Sequence, residues 1–349
     1  MTSLANRVAD GKTNNLNLIR LLMALMVIWS HSFPVALGPG GDTRFEPLNV
    51  FTHHQSSSGA MAVSSFFFIS GFLITASWLR GKSAANYFLK RVLRIYPAFI
   101  VSLSFCAGLI WTFCPGFRAT VVHPWHWWQL LFQDMLLLSY HSITGPGIFA
   151  ANPFPVLANA SLWTISLEFL CYLAVLLIGL CGLFKWRRFL LVAATLAVVF
   201  FVFGRGTVND DFEKCLVCFV AGATAWLWQD KIPFSNLIAG GCVAVLLAAS
   251  QFRPWLVILF PILGGYCLLW LAYGPALILA TWTDKTDLSY GTYLYAFPVQ
   301  QVLAMNVGLR HPWAIFALAA PITLGLAWLS WHLVEKRCLA WKRSSIKPV

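Results

Sequence analysis

Arg20 and His31 lie eleven residues apart within one apolar stretch, Asn15 to Pro34, and could together bind an anion and move a proton. Eleven residues turn an α-helix through about 1100°, three full turns plus roughly 20°, and advance it by about 16 Å. The two side chains would therefore share one helix face at two depths. Ionisable side chains within a membrane span usually face a substrate or proton pathway. Two alternatives stay open: Arg20 as an anchor at the lipid headgroups and His31 as a hydrogen-bonded core residue.

Glu168 is a second candidate for proton transfer. It follows Trp163 by about a turn and a half of helix in "NASLWTISLEFLCYL" and should lie about 10 Å below the outer surface, at a depth similar to that of His31. A carboxylate beside an imidazole fixes its tautomer and stabilises the imidazolium. We therefore expect His31 and Glu168 to meet. The alternative is a buried acid that Ser, Tyr or Arg satisfies.

Arg91 and Arg94, in "FLKRVLRIYP", form a possible site for phosphate groups. Side chains three residues apart are neighbours on a helix, and two guanidinium groups present planar forks of donors that suit phosphate. A basic pair next to a membrane span is also common as a topology signal or a lipid anchor. The pair alone does not decide between these interpretations.

Helices in a membrane must position these side chains. Of the 349 residues, 59% are hydrophobic and 10% are charged, and the mean hydropathy is +0.73, whereas about a quarter of the residues are charged in ordinary soluble domains. A spanning helix needs roughly 20 mostly apolar residues. The sequence predicts an all-α integral membrane protein with about ten transmembrane helices, at 16–36, 62–79, 95–114, 161–183, 188–204, 213–229, 234–250, 255–273, 289–308 and 312–334.

The predicted domains are a cytoplasmic N-terminal segment at 1–15, a transmembrane domain at 16–335 and a basic cytoplasmic tail at 336–349. The net charge is +12, and most of the 24 lysines and arginines fall in segments that this topology places inside. That bias predicts cytoplasmic termini. The same bias explains the positive net charge, so we expect no nucleic-acid partner. Membrane lipids are the expected surroundings of the chain.

Other polar clusters give weaker signals. His53 and His54 lack a third ligand at a recognisable spacing, and the CxxC pair Cys215 and Cys218 lacks a second pair. We therefore predict no metal site and no bound cofactor. The longest segments between the predicted spans are 37–61 and 115–160. The tryptophans of the second segment either stack on sugar rings or sit at the membrane interface: Trp125, Trp127 and Trp128.

Five motifs in order resemble the acyltransferase 3 family of multi-pass membrane acyltransferases. They are Arg20 with His31; "FFFISGFLI"; the Arg91 and Arg94 pair followed by "IYP"; "SLWTISLEFLCY"; and "LSYGTYLYAFPVQ". The resemblance extends from Asn15 to about Lys336. The chain departs from it in one place, because members often carry a histidine where this chain has Ala296.

The resemblance implies a cell-membrane enzyme, an O-acetyltransferase, with acyl-CoA as donor and an extracytoplasmic glycan as acceptor. The histidine of the first helix, His31, looks like the catalytic base, and the Arg91 and Arg94 pair looks like part of the acyl-CoA site. The positions of the residues add Glu168 beside His31 and Arg20 to the phosphate site. Supporting roles are expected for Trp163, Ser70 and Tyr172. Some members carry an appended soluble domain, whereas this chain ends about fifteen residues after its last predicted span. It is therefore expected to act alone or with a separate partner.

Two other functions use a similar set of residues. Ten spans with a buried Arg, His and Glu would also suit a proton-coupled transporter of a small anion, although no two-halves repeat is visible. A lipid-linked glycan flippase is a third possibility, but it gives no reason for a single His and Glu site. Within the enzyme interpretation, direct transfer and an acyl-histidine intermediate on His31 both remain open.

Overall fold

The computed structural model describes residues 2–10, 14–81, 83–120, 143–188, 210–274 and 278–344, with a few positions between 191 and 199. In this part of the chain the regular secondary structure is helical. The α-helices are α1 (Leu4–Asp10), α2 (Leu16–Leu37), α3 (Gly41–Phe45), α4 (Pro47–Phe51), α5 (Ser58–Leu79), α6 (Ala84–Phe113), α7 (Pro115–Thr120), α8 (Trp163–Leu180), α9 (Asp210–Leu227), α10 (Asn236–Ala249), α11 (Trp255–Leu259), α12 (Gly265–Tyr273), α13 (Ile278–Thr283), α14 (Ser289–Asn306), α15 (Pro312–Ser330) and α16 (Lys336–Ser344). Short π-helical stretches, Phe260–Gly264 and Trp331–Glu335, join α11 to α12 and α15 to α16.

Six helical stretches in the described residues are long and apolar enough to cross a membrane. They are Leu16–Leu37, Ser58–Leu79, Ala84–Phe113, Trp163–Leu180, Trp255–Tyr273 and Pro312–Trp341. Each overlaps one of the ten predicted spans, and the chain is a multi-pass, all-helical membrane protein in this part. Three further predicted spans fall on α9, α10 and α14, of which α10 is a shorter apolar helix. Most of the predicted span 188–204 lies outside the described residues, as does the tryptophan-rich stretch 121–142.

The third span begins earlier than predicted. The sequence favoured a start at residue 95, after the arginine pair, but α6 begins at Ala84 and carries both arginines within the helix. The helix can include Arg94 because two carboxylates pair with its guanidinium.

The chain divides into two compact units, each built from three separated stretches. The first unit comprises Met1–Met23, Pro47–Tyr87 and Leu170–Lys285, and the second comprises Ala24–Glu46, Phe88–Phe169 and Thr286–Val349. Helices α2 and α8 are continuous and contribute residues to both units.

The first unit is centred on the contact between α5 and α9. A Cβ added at Gly222 would lie 1.9 Å from the carbonyl oxygen of Phe68, and one added at Gly71 would lie 2.0 Å from that of Phe219. Small residues at a helix crossing let the two backbones approach closely, which is a common way to pack helices in lipid. The two glycines therefore set the spacing of α5 and α9.

The second unit is built around α14. Of the residues in this helix, 14 are buried, among them Gln300 and Gln301, which are fully enclosed. Because protein surrounds the helix, its polar side chains face partners rather than lipid. Its proline, Pro298, lacks an N–H, so the Leu294 carbonyl loses its usual helical donor. The Asn159 side-chain amide donates to that carbonyl instead, at 2.9 Å.

Candidate active site

His31 lies in the part of α2 that belongs to the second unit. Its side chain is half-buried, and its ring packs edge-on against Phe297 of α14, with centroids 5.2 Å apart and planes at 85°. An apolar ring at this position limits the access of water to the imidazole. The setting is compatible with the predicted role.

Gln300 of α14 fixes the backbone of α2 beside His31. Its side-chain amide donates to the carbonyl of Ile28 at 2.7 Å and to Ser32 Oγ at 2.8 Å. The Ser32 hydroxyl in turn donates to the Ile28 carbonyl at 2.8 Å. Gln300 and Ser32 are both fully buried. The segment that carries His31 is therefore held to α14 by a closed set of hydrogen bonds.

The start of α8, the helix that carries Glu168, is attached to the same side of α14. The hydroxyls of Thr164 and Tyr293 lie 2.6 Å apart. Tyr293 and Phe297 are one helical turn apart on α14 and so share a face. One face of α14 thus contacts both the helix with His31 and the helix with Glu168.

The predicted residues are distributed over both units. His31, Glu168, Trp163, Arg91 and Arg94 belong to the second unit. Arg20, Ser70 and Tyr172 belong to the first, where Ser70 and Tyr172 are buried and Arg20 is half-buried. The expected meeting of His31 and Glu168 stays a prediction.

Arg94 lies in an ion-pair cluster at the start of α14. Its guanidinium contacts Asp287 Oδ2 at 2.5 Å and Glu335 Oε2 at 3.7 Å, and it lies over the Tyr290 ring at 5.6 Å. The cluster continues through Ser330, whose hydroxyl donates to Glu335 Oε1 at 3.1 Å. Two carboxylates offset the charge of Arg94, so any anion that binds here must share the guanidinium with them.

The start of α2, where Arg20 lies, is fixed within the first unit. The Asn15 side chain donates to the Leu271 carbonyl at 2.8 Å, and the Asn17 side chain donates to the Thr283 carbonyl at 3.3 Å. In the same unit the Tyr87 hydroxyl donates to the Tyr172 carbonyl at 3.1 Å. These bonds give α2 a defined position at the level of Arg20.

Ala296, the departure from the family pattern, is fully buried. It packs with Ile28, Val299 and Ala319 in an apolar cluster. A histidine at this position would require polar partners, and this chain fills the space with a methyl group instead.

The family assignment rests on almost the whole chain. The sequence profile of the family described as Acyltransferase domain matches residues 13–332. The chain belongs to the acyltransferase 3 family. The prediction of a membrane acyltransferase is confirmed at this level, and the match includes every predicted site residue.

Two curated relatives match over nearly their full lengths. Nodulation protein 10 of Rhizobium leguminosarum biovar viciae is 27% identical over 382 aligned positions, covering 98% of this chain and 97% of the relative. An O-acetyl transferase of the Shigella phage Sf6 is 29% identical over 355 positions, covering 96% and 98%. No solved structure is significantly similar to the chain.

Several polar residues around the candidate site were not singled out from the sequence. Gln300, Asp287 and Glu335 are the most informative, because each holds a part of the second unit together. Gln301 belongs with them, since it bonds the Phe154 and Leu157 carbonyls and receives the Asn152 amide. The sequence did contain a signal, because two adjacent glutamines in the middle of a mostly apolar 18-residue stretch require buried partners.

Proposed function

We propose that this acyltransferase moves an acetyl or other short acyl group from cytoplasmic acyl-CoA to a hydroxyl of an extracytoplasmic glycan in the cell membrane. The observation that carries the proposal is the family match over residues 13–332. The name of the phage relative, an O-acetyl transferase, supports acetyl as the group. The glycan acceptor and the CoA donor follow from the family resemblance.

In the proposed reaction His31 acts as general base. It takes the proton of the acceptor hydroxyl as that oxygen attacks the thioester carbonyl. The carbon–sulfur bond then breaks, and the imidazolium returns the proton to the departing thiolate, which leaves as the thiol of CoA. Glu168 stabilises the imidazolium that forms. A positioned base typically contributes 10²–10⁴-fold to the rate. The packing of His31 against Phe297 supports this role, and an acyl-histidine intermediate would use the same residue.

In the proposed donor site Arg20, Arg91 and Arg94 bind the phosphates of CoA, and Trp163, Ser70 and Tyr172 support the surrounding helices. Because Asp287 and Glu335 offset the charge of Arg94, the attraction that Arg94 exerts on a phosphate should be reduced.

We also propose that the chain crosses the membrane ten times with both termini in the cytoplasm. Contacts within each unit support this topology. In the first unit, residues on the proposed inner side meet one another, as Leu4 does with Ile232, while residues on the outer side meet separately, as Gln55 does with Ser250. In the second unit Arg94, Asp287 and Glu335, all proposed to be inner, cluster in the same way.

The central experiment measures binding of acetyl-CoA and its slow hydrolysis to free thiol by the purified full-length protein in nanodiscs. We expect His31→Ala to keep binding and to reduce thiol release at least about 100-fold, because the base is lost. Arg91→Ala should weaken binding instead. The matched control is His53→Ala, which removes an exposed histidine and should leave both measurements unchanged.

Two results would contradict the proposal. One is full thiol release by a folded His31→Ala variant. The other is a folded wild-type protein that neither binds nor turns over acetyl-CoA or longer acyl-CoAs.

A further inference from the structure

The first unit contains an apolar groove between α9 and the α11–α12 segment. Its volume is about 420 Å³, which lies within the roughly 300–1,000 Å³ of sites for small molecules. Side chains such as Val217, Val220, Ile258, Ile262 and Leu269 line it. The small residues of α9 leave the space, since alanines occupy positions 221 and 225. The lining is mainly apolar, with the hydroxyl groups of Thr224 and Tyr266 among the few exceptions, so a hydrocarbon chain suits the groove better than water does.

A basic cavity of about 500 Å³ lies in the same unit. It is formed where the chain leaves α8 and where it leaves α9, and the charged residues that line it are Lys185, Arg187, Arg188, Lys231 and Asp230. All five are exposed, and among the described residues none of the four cations has an ion-pair partner within 4.0 Å. The balance is four positive charges against one negative, which favours an anionic group such as a phosphate.

Trp228 joins the two spaces because it lines both the groove and the basic cavity. Its indole nitrogen is buried, and no hydrogen-bond acceptor for it lies among the described residues. A buried N–H without an acceptor is costly. A carbonyl or phosphate oxygen at the junction of the two spaces would satisfy it.

We propose that the two spaces that Trp228 lines bind one anionic glycerophospholipid. The phosphate contacts the four cations, an ester carbonyl accepts from Trp228, and one acyl chain fills the groove. In the proposed topology the site faces the cytoplasmic leaflet, where such headgroups lie. It is separate from the proposed reaction, which uses none of these residues, so its failure and that of the acyl transfer are distinguishable.

The test is native mass spectrometry of the full-length protein in detergent, titrated with phosphatidylglycerol or phosphatidylcholine of the same acyl chains. The wild-type protein should bind phosphatidylglycerol more tightly than phosphatidylcholine. The variant Arg187→Gln/Arg188→Gln should lose about 30-fold in affinity, because each basic residue near a lipid surface contributes a factor of about five. The matched variant Lys336→Gln/Arg337→Gln removes two exposed charges elsewhere and should bind as wild type does.

Competition separates the lipid from other anions. Neither inorganic phosphate nor acetyl-CoA should displace phosphatidylglycerol, because neither fills the groove with a hydrocarbon chain. Equal binding of the two phospholipids, an equal loss in both charge variants, or displacement by acetyl-CoA would overturn the proposal. Ala225→Trp tests the groove itself and should prevent binding while the thiol release from acetyl-CoA persists.

Discussion

Gln300 is the residue that best explains how His31 is held. It bonds the backbone of α2 at Ile28 and the side chain at Ser32, on either side of the position of His31 in the sequence. A fully enclosed amide in this position fixes both α2 and α14. Its contribution should therefore appear in catalysis as well as in stability.

We predict that Gln300→Leu lowers stability by about 1–3 kcal/mol, because the Ile28 carbonyl and the Ser32 hydroxyl lose their common donor. Turnover should fall by about tenfold or more, while acetyl-CoA binding persists. Thermal unfolding in detergent and the thiol-release assay measure the two effects. Ser32→Ala removes only one of the two acceptors, so a loss in Ser32→Ala equal to that in Gln300→Leu would contradict the assignment.

Arg94 should stabilise the fold as well as take part in the proposed binding of phosphate. We predict that Arg94→Ala lowers stability by about 3–5 kcal/mol, because it leaves the buried Glu335 and the largely buried Asp287 without their guanidinium. Thermal unfolding measures the loss. The double variant Arg94→Ala/Asp287→Ala should recover part of it, and additive losses in the double-mutant cycle would contradict the coupling.

At the scale of the elements, the crossing of α5 and α9 depends on two glycines. We predict that Gly222→Ala destabilises the protein by about 1–3 kcal/mol or more, because the added methyl group overlaps the Phe68 carbonyl. The control is Gly241→Ala in α10, where nothing lies within 4 Å of the added carbon. That variant should be unchanged or slightly more stable, since alanine favours a helix over glycine by about 1 kcal/mol. Yield and thermal midpoint after size-exclusion chromatography compare the two.

The sequence predicted the helices better than their contacts. Apolar runs long enough for lipid identified all six candidate spans and also helices α9, α10 and α14. The early start of α6 was missed because Arg94 reads as polar until its partners are known. Those partners lie 193 residues away in the case of Asp287, and a pattern with periods of a few residues cannot show such a pairing.

For the candidate site, too, the sequence predicted individual residues but not the contacts that hold them. His31 and Glu168 stood out because ionisable residues are rare inside spans. The attachment of their two helices to one face of α14 could not be predicted. It depends on Tyr293 and Phe297, which in the sequence look like ordinary apolar residues of a helix.

At the scale of the whole molecule, the ten-span topology makes a direct prediction. In intact cells a membrane-impermeant thiol reagent should label Gln251→Cys, on the proposed outer side, and should not label Lys231→Cys until the membrane is opened. Both variants need a background in which the nine native cysteines are replaced and activity is retained. Labelling of position 231 from outside would contradict the orientation.

The pairing of Arg94 also bears on biosynthesis. A ribosome makes the chain from its N-terminus, so α6 enters the membrane long before Asp287 and Glu335 exist. Until the last spans are translated, Arg94 must stay near the headgroups or beside some temporary partner, and the second unit cannot close around α14. A nascent chain that stops short of residue 287 would carry this charge without either carboxylate, because both partners lie beyond that point.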